Sequence, residues 1–274
     1  MFKVKLVTLA SYFGREDMSI PKIAEFGYDG LEVYPKYAGN RAKLGITTEE
    51  LINLCSQYNL TVEASPLGGV HLVSDDQTKR KAALKNFKLN LKWLSEVGGK
   101  IAQCVPAWGY TRFRGYKEAV KTRVIEVLRK LGKEAQDYGV VIGIEPCNRF
   151  EMSYMNTLQD AISVVKEIGL ESVKVAGDTY HMHIEEPDPV RAIYEAKDYL
   201  VYMHFSDNAR LAPGLGSMNL KAIVNALADI GYRGALSHFE VKPYPDAETA
   251  ARISFNYTRA LLDISETLRT LKGR

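Results

Sequence analysis

Cysteine, net charge and long apolar runs are all scarce in this 274-residue sequence, and each scarcity removes a class of protein. The cysteines are Cys55, Cys104 and Cys147, an odd number, widely spaced and without a CxxC pair. They suggest neither a disulfide framework nor a thiolate zinc site, and a reducing compartment is the default. Thirty-six basic residues against 33 acidic ones leave a charge of only +3. That balance gives no reason to expect nucleic acid or an anionic membrane as partner, so a small-molecule substrate fits better. No apolar stretch approaches the roughly 20 residues of a membrane span, and the run within Met1–Ala10 is too short for a signal-peptide core. A cytoplasmic location is expected. No glycine-rich phosphate loop follows the first apolar run, where Ser11-Tyr12-Phe13-Gly14 stands, which counts against a dinucleotide-binding domain.

What is present is one repeated unit: a short apolar strand, a polar loop, an amphipathic helix and a Gly or Asn stop. The strands are expected at Lys5–Ala10, Gly30–Tyr34, Thr61–Ala64, Lys100–Val105, Val140–Glu145, Val173–Asp178, Leu200–Phe205 and Ala235–Glu240. Helices are expected at Ile20–Phe26, Thr48–Tyr58, Asp76–Val97, Tyr116–Tyr138, Thr157–Ile168, Pro189–Ala196, Leu220–Ile230 and Ala247–Leu271. In the fourth, Val120, Val124, Val127, Leu128 and Leu131 follow the helical period and form one core-facing stripe. Eight strand–helix units without linker or low-complexity segment predict a (β/α)₈ TIM barrel filling one domain, residues 1–274. A doubly wound open sheet is the alternative architecture.

Ligands bind at the carboxyl ends of parallel strands, so the residues there carry the chemistry. Four successive strands end in a potential hard-metal ligand: Glu145, Asp178, His204 and Glu240. Three carboxylates and one imidazole suit manganese, magnesium or cobalt better than structural zinc. Drawing a proton from a carbon beside a carbonyl builds charge on the ketone oxygen, which a Lewis acid stabilises. Returning the proton to the other face is most simply done by two carboxylates, and Glu145 and Glu240 end strands three apart. Arg210 can donate to substrate oxygens, His181 can donate, accept or ligate, and Asp207 is placed to steer His204 or Arg210. His238 reads as a hydrogen-bonded core histidine; His183, His71 and Glu63 read as loop or rim residues, and Trp108 as a sugar-stacking wall or a loop anchor.

The segments Glu145-Pro-Cys-Asn148-Arg149-Phe-Glu151, Asp178-Thr-Tyr-His181-Met and His204-Phe-Ser-Asp207-Asn-Ala-Arg210, with Pro213-Gly214-Leu-Gly216 and Glu240, resemble the xylose-isomerase-like barrels called sugar phosphate isomerases/epimerases. Within them the pattern is most similar to the ketose 3-epimerases that act on D-tagatose and D-psicose. The resemblance implies one divalent ion, manganese first and cobalt or magnesium next, held by Glu145, Asp178, His204 and Glu240. It implies that the two glutamates double as acid and base, that His181 and Arg210 hold substrate oxygens, and that Glu151 supports the site around Glu145. Glu32, Ser65, Trp108 and the loop Gly68-Gly69-Val70-His71 stand where such enzymes build the sugar pocket. The segment Ser-His-Phe-Glu240-Val-Lys-Pro departs from the Glu-Pro-Phe sequence frequent in the free-sugar epimerases.

The implied function is epimerisation of a ketose or sugar phosphate at carbon 3, by a homodimer or homotetramer with no nucleic acid or membrane partner. Aldose–ketose isomerases and dehydratases on the same scaffold are the nearer alternatives. A nuclease of the endonuclease IV type would use many of the same side chains, but it needs a three-zinc cluster, and the loop after His204 lacks the Asp-x-His pair that family supplies. A non-catalytic sugar-binding barrel is disfavoured because the ligands and the acid/base pair are all intact.

Overall fold

Eight parallel strands pair in sequence order and close on themselves, β1 with β2 through to β8 with β1, in a computed structural model that describes residues 3–37, 43–109 and 117–272. The strands are β1 (Lys5–Leu9), β2 (Gly30–Glu32), β3 (Thr61–Gly68), β4 (Ile101–Cys104), β5 (Val141–Ile144), β6 (Val173–Asp178), β7 (Leu200–His204) and β8 (Ala235–Ser237). They are short and almost continuously apolar because both faces are covered, one by the opposite wall of the barrel and the other by the helices. Leu6 and Val7, Ile142 and Ile144, and Val173 and Val175 are all buried.

The helices are α1 (Glu16–Glu25), α2 (Thr48–Gln57), α3 (Gln77–Glu96), α4 (Lys117–Asp137), α5 (Leu158–Ile168), α6 (Thr179–Glu185), α7 (Pro189–Glu195), α8 (Leu220–Asp229) and α9 (Ala247–Lys272). Several start where the sequence supplies a cap: Thr47 with Glu50 and Thr157 with Asp160 form reciprocal capping boxes, and Gly169 ends α5 in the left-handed region at φ 69°. Leu158, Ala161, Ile162, Val165 and Ile168 turn the apolar face of α5 inward. Among the described residues, no helix is long and apolar enough to cross a membrane.

Several boundaries differ from the sequence expectation, and β2 stops at Glu32, not Tyr34. The first helix begins at Glu16, not Ile20, so Pro21 lies one turn inside it. β3 runs on to Gly68, through a shift in its register against β4. β8 stops at Ser237, so Glu240 sits in the turn beyond it with φ 55° instead of ending the strand. A short helix, α6, begins directly at the end of β6, where the pattern predicts none. The expected start of the fourth helix at Tyr116 lies outside the described residues.

Candidate active site

Register places two of the expected ligands side by side, because Asp178 and His204 are Cα partners across β6 and β7. Asp178 has two tasks. Its Oδ1 accepts from the Tyr180 backbone N–H at 2.8 Å and caps α6, while its Oδ2 receives Arg210 Nη1 at 2.7 Å and lies 3.7 Å from His204 Nδ1. Capping α6 so tightly to the strand brings His181, in the helix's first turn, back over the barrel mouth. Glu145, one residue past β5, puts Oε2 3.2 Å from His204 Nδ1 and Oε1 3.6 Å from His181 Nε2. Glu145, Asp178 and His204 are buried, and each offers a ligand atom within 4.8 Å of the others.

Behind His204 stands Glu32. It is fully buried, with Oε1 3.2 Å from His204 Nε2, and Oε2 accepts from Tyr202 Oη at 2.9 Å and Ser237 Oγ at 2.7 Å. Its oxygens are therefore occupied on the far side of the imidazole, and it does not line the pocket as a sugar contact. Burial alone would lower the His204 pKa, but Glu32 and Glu145 reverse this and raise it well above the ordinary value. Burial likewise pushes the Asp178 carboxyl up, but Arg210, His181 and His204 together outweigh it and hold that pKa far below the usual range. Two carboxylates and an imidazole converging in a buried site, with oxygen donors in the majority, form a donor set suited to a hard or borderline divalent ion.

Glu240 reaches the mouth from its turn after β8, with Oε2 3.5 Å from Arg210 Nη2. Arg210 thereby bridges Asp178 and Glu240, and its ring partner is Tyr180, 4.5 Å below the guanidinium carbon. Ala209, Arg210 and Glu240 all have φ between 55° and 61°, a costly region for non-glycine residues that surroundings must enforce. The Lys242 backbone N–H donates to the Arg210 carbonyl at 2.7 Å and ties the two strained turns together.

The pocket is lined by Tyr34, Pro66, Gly68, Gln103, Val105, Trp108, Glu145, Cys147, Glu151, His181, His204, Arg210, Phe239 and Glu240. Trp108 donates its indole N–H to Glu151 Oε2 at 2.8 Å, so it is both wall and anchor. Burial raises the Glu151 pKa, but bonds from Trp108 and Asn148 and nearby positive charge leave it below its ordinary value. His71 is exposed and is not part of this lining. Asp207, expected to steer His204 or Arg210, instead accepts from the backbone N–H groups of Asn208, Gly214 and Met218 and shapes its own loop. Glu63 pairs with Lys5 at the opposite, amino-terminal end of the barrel. His183 is exposed, and buried His238 bonds Tyr28 and Thr258 away from the mouth.

Sequence reasoning missed Gln103, whose amide donates to Glu145 Oε2. The available signal was a lone amide in the apolar run Ile101–Cys104, since a buried amide requires a partner. It also missed Phe239, stacked on the His204 ring at 4.8 Å, and Tyr34, whose ring meets that of Phe239 edge-on at 6.3 Å.

Comparison with known proteins agrees with this architecture. The chain is 35% identical over 224 residues to the D-psicose 3-epimerase of Enterocloster bolteae, covering 78% of this chain and 73% of that protein. It is 32% identical over 220 residues to the 3-dehydro-D-guloside 4-epimerase of Escherichia coli, covering 77% and 82%. The crystal structure of a D-psicose 3-epimerase with D-tagatose from Clostridium cellulolyticum superposes with a TM-score of 0.81 at 26% identity, over 94% of this chain and 99% of that one. These relatives are epimerases, isomerases that act on carbohydrates. Residues 20–261 match the family described as the xylose isomerase-like TIM barrel, and the chain belongs to that family.

Proposed function

We propose that the protein is a divalent-metal-dependent ketose 3-epimerase. The observation that carries this reading is the convergence of Glu145, Asp178 and His204 in a buried site at the carboxyl ends of β5, β6 and β7, roofed by Arg210 and His181. Glu145, Asp178 and His204 would hold the ion, with Glu240 completing the set from the turn after β8. When bound, the ion supplies Lewis-acid stabilisation of charge on the substrate's ketone oxygen. Every other task falls to the chain. Glu145 and Glu240 reach the pocket from strands three apart and exchange the proton at carbon 3 between the two faces, through an enediolate. Arg210 and His181 orient the substrate oxygens, and Tyr34, Trp108 and Phe239 keep water from the reacting carbon. Glu32 fixes the orientation of His204 from behind, as carboxylates commonly do for ligating histidines.

A second reading has specific support, because one relative of similar identity is a 4-epimerase of a keto-glycoside. Both reactions take a proton from a carbon next to a ketone, and the same carboxylates serve either. Incubating the purified protein, with and without chelator and added manganese, cobalt or magnesium, with ketohexoses, ketopentoses, their phosphates and 3-keto-glycosides separates the readings. Metal-dependent interconversion of free ketoses supports the proposal; turnover of the keto-glycoside alone favours the 4-epimerase, and full activity in metal-stripped protein refutes both.

A further inference from the structure

The donors and acceptors around His181 are unusually constrained. The Phe150 backbone N–H donates to Asn148 Oδ1 at 3.0 Å, which fixes the amide so that its Nδ2 end faces Glu151 and His181. Nδ2 donates to Glu151 Oε1 at 3.0 Å and to His181 Nδ1 at 2.8 Å. The Asn148 backbone N–H reaches the same ring nitrogen at 3.2 Å. A ring nitrogen that receives two N–H groups presents its lone pair, and the ring proton is then on Nε2.

On the other side of the ring, Nε2 lies 3.6 Å from Glu145 Oε1 and 3.2 Å from Arg210 Nη2. A guanidinium only donates, so the last contact sets one donor against another. Reversing the tautomer would ease it only by setting an N–H against the two donors of Asn148, one of them fixed in the backbone. Arg210 has acceptors elsewhere, in Asp178 at 2.7 Å and Glu240 at 3.5 Å. Two N–H groups 3.2 Å apart that cannot satisfy each other both suit a single acceptor placed between them in the pocket.

We infer that Asn148 is a positioning residue that locks His181 in its Nε2–H tautomer, so that His181 and Arg210 direct two donors at one substrate oxygen beside Glu145. The catalytic use of that point rests on the epimerase reading; the tautomer itself does not. One consequence concerns metals. Glu145, Cys147 and His181 each bring a potential ligand atom within 4.8 Å of the others, yet one nitrogen of His181 is occupied and the other protonated. His181 is a donor to substrate, not a ligand.

The test is long-range proton–nitrogen NMR of the full protein carrying ¹⁵N-histidine, with the His181 signals identified by their loss in His181→Asn. The wild-type protein should show an unprotonated Nδ1 and a protonated Nε2. A proton on Nδ1 overturns the inference, whatever sugar the enzyme accepts. Asn148→Asp replaces the donating amide by an accepting oxygen and should move the proton to Nδ1. It should also lower kcat on D-psicose on the order of 10²-fold, the scale of losing one aimed donor, while KM changes far less. Asn148→Ala keeps the backbone donor, so it should retain the Nε2–H signal and more of kcat. An Asn148→Asp protein that keeps Nε2–H, or that changes tautomer without loss of kcat, overturns the assignment. A correct tautomer in a protein that epimerises no ketose would instead count against the proposed activity alone.

Discussion

Glu32→Gln exchanges one oxygen for an amide nitrogen without changing shape, and the bonds around Glu32 decide which way the new amide turns. One carboxylate oxygen serves both Tyr202 and Ser237, at 2.9 and 2.7 Å, while the other faces His204 Nε2 at 3.2 Å. A glutamine keeps only one accepting oxygen. Leaving the two buried hydroxyls unsatisfied would cost about 1–3 kcal/mol each, so the amide should keep its oxygen toward them and turn its NH₂ to His204. The ring then answers with a lone pair at Nε2 and carries its proton on Nδ1, the nitrogen that faces Glu145 and Asp178. A ligand with the wrong tautomer must be rearranged before it can bind a metal. Loss of such a carboxylate behind a ligating histidine typically weakens affinity 10–100-fold, or about 1.4–2.7 kcal/mol. Calorimetric titration of manganese into wild-type and Glu32→Gln protein at one pH reads this directly, with circular dichroism confirming the fold. Equal dissociation constants for the two proteins would refute the argument, as would a weaker constant explained by loss of the fold.

The same geometry sets three further outcomes. Asp178→Asn should keep the cap on α6, since its Oδ1 still accepts from Tyr180, yet bind manganese far more weakly in the same calorimetric titration; unchanged affinity would exclude Asp178 as a ligand. Glu145→Gln and Glu240→Gln should each lower turnover by about 10²–10⁴-fold in a folded protein, and near wild-type turnover in either would end the two-carboxylate mechanism. Burial holds the His238 pKa down at about 3, below its ordinary 6.5, so the neutral ring supports the fold fully above pH 6.5 and that support falls as pH drops toward 3. Between pH 6.5 and 5 the wild type should therefore lose about 2 kcal/mol more than His238→Gln in urea unfolding, and parallel losses would refute the assignment.

The barrel was legible because parallel strands covered on both faces must be short and apolar, and because capped amphipathic helices recur between them. The same regularity exposed Glu145, Asp178 and His204, since polar residues closing apolar runs such as Val141–Ile144 and Val173–Asp178 stand out. The parts that were not legible depend on packing between distant segments. Glu32 lies inside the expected strand Gly30–Tyr34, and only the approach of Tyr202, His204 and Ser237 from β7 and β8 reveals that its oxygens are taken up behind the imidazole. Asp207 looked like a support for His204, but its loop folds back so that three backbone donors claim it. The sequence pattern makes Glu240 a strand end, because a period-two pattern does not reveal that pairing stops at Ser237 and that a left-handed turn comes after it. The short helix at Thr179–Glu185 was hidden because Asp178 ends a strand and caps a helix with no loop between them.

The central claim is proton exchange at carbon 3 of a ketose, and deuterium labelling tests it most directly. The manganese-loaded protein is incubated in deuterium oxide with D-psicose, D-tagatose and the corresponding ketopentoses, and the label is located by NMR in both substrate and product. The expected result is deuterium at carbon 3 together with a product inverted at that carbon. Deuterium confined to carbon 1 would establish aldose–ketose isomerisation and contradict the proposal, and so would a product that had lost water.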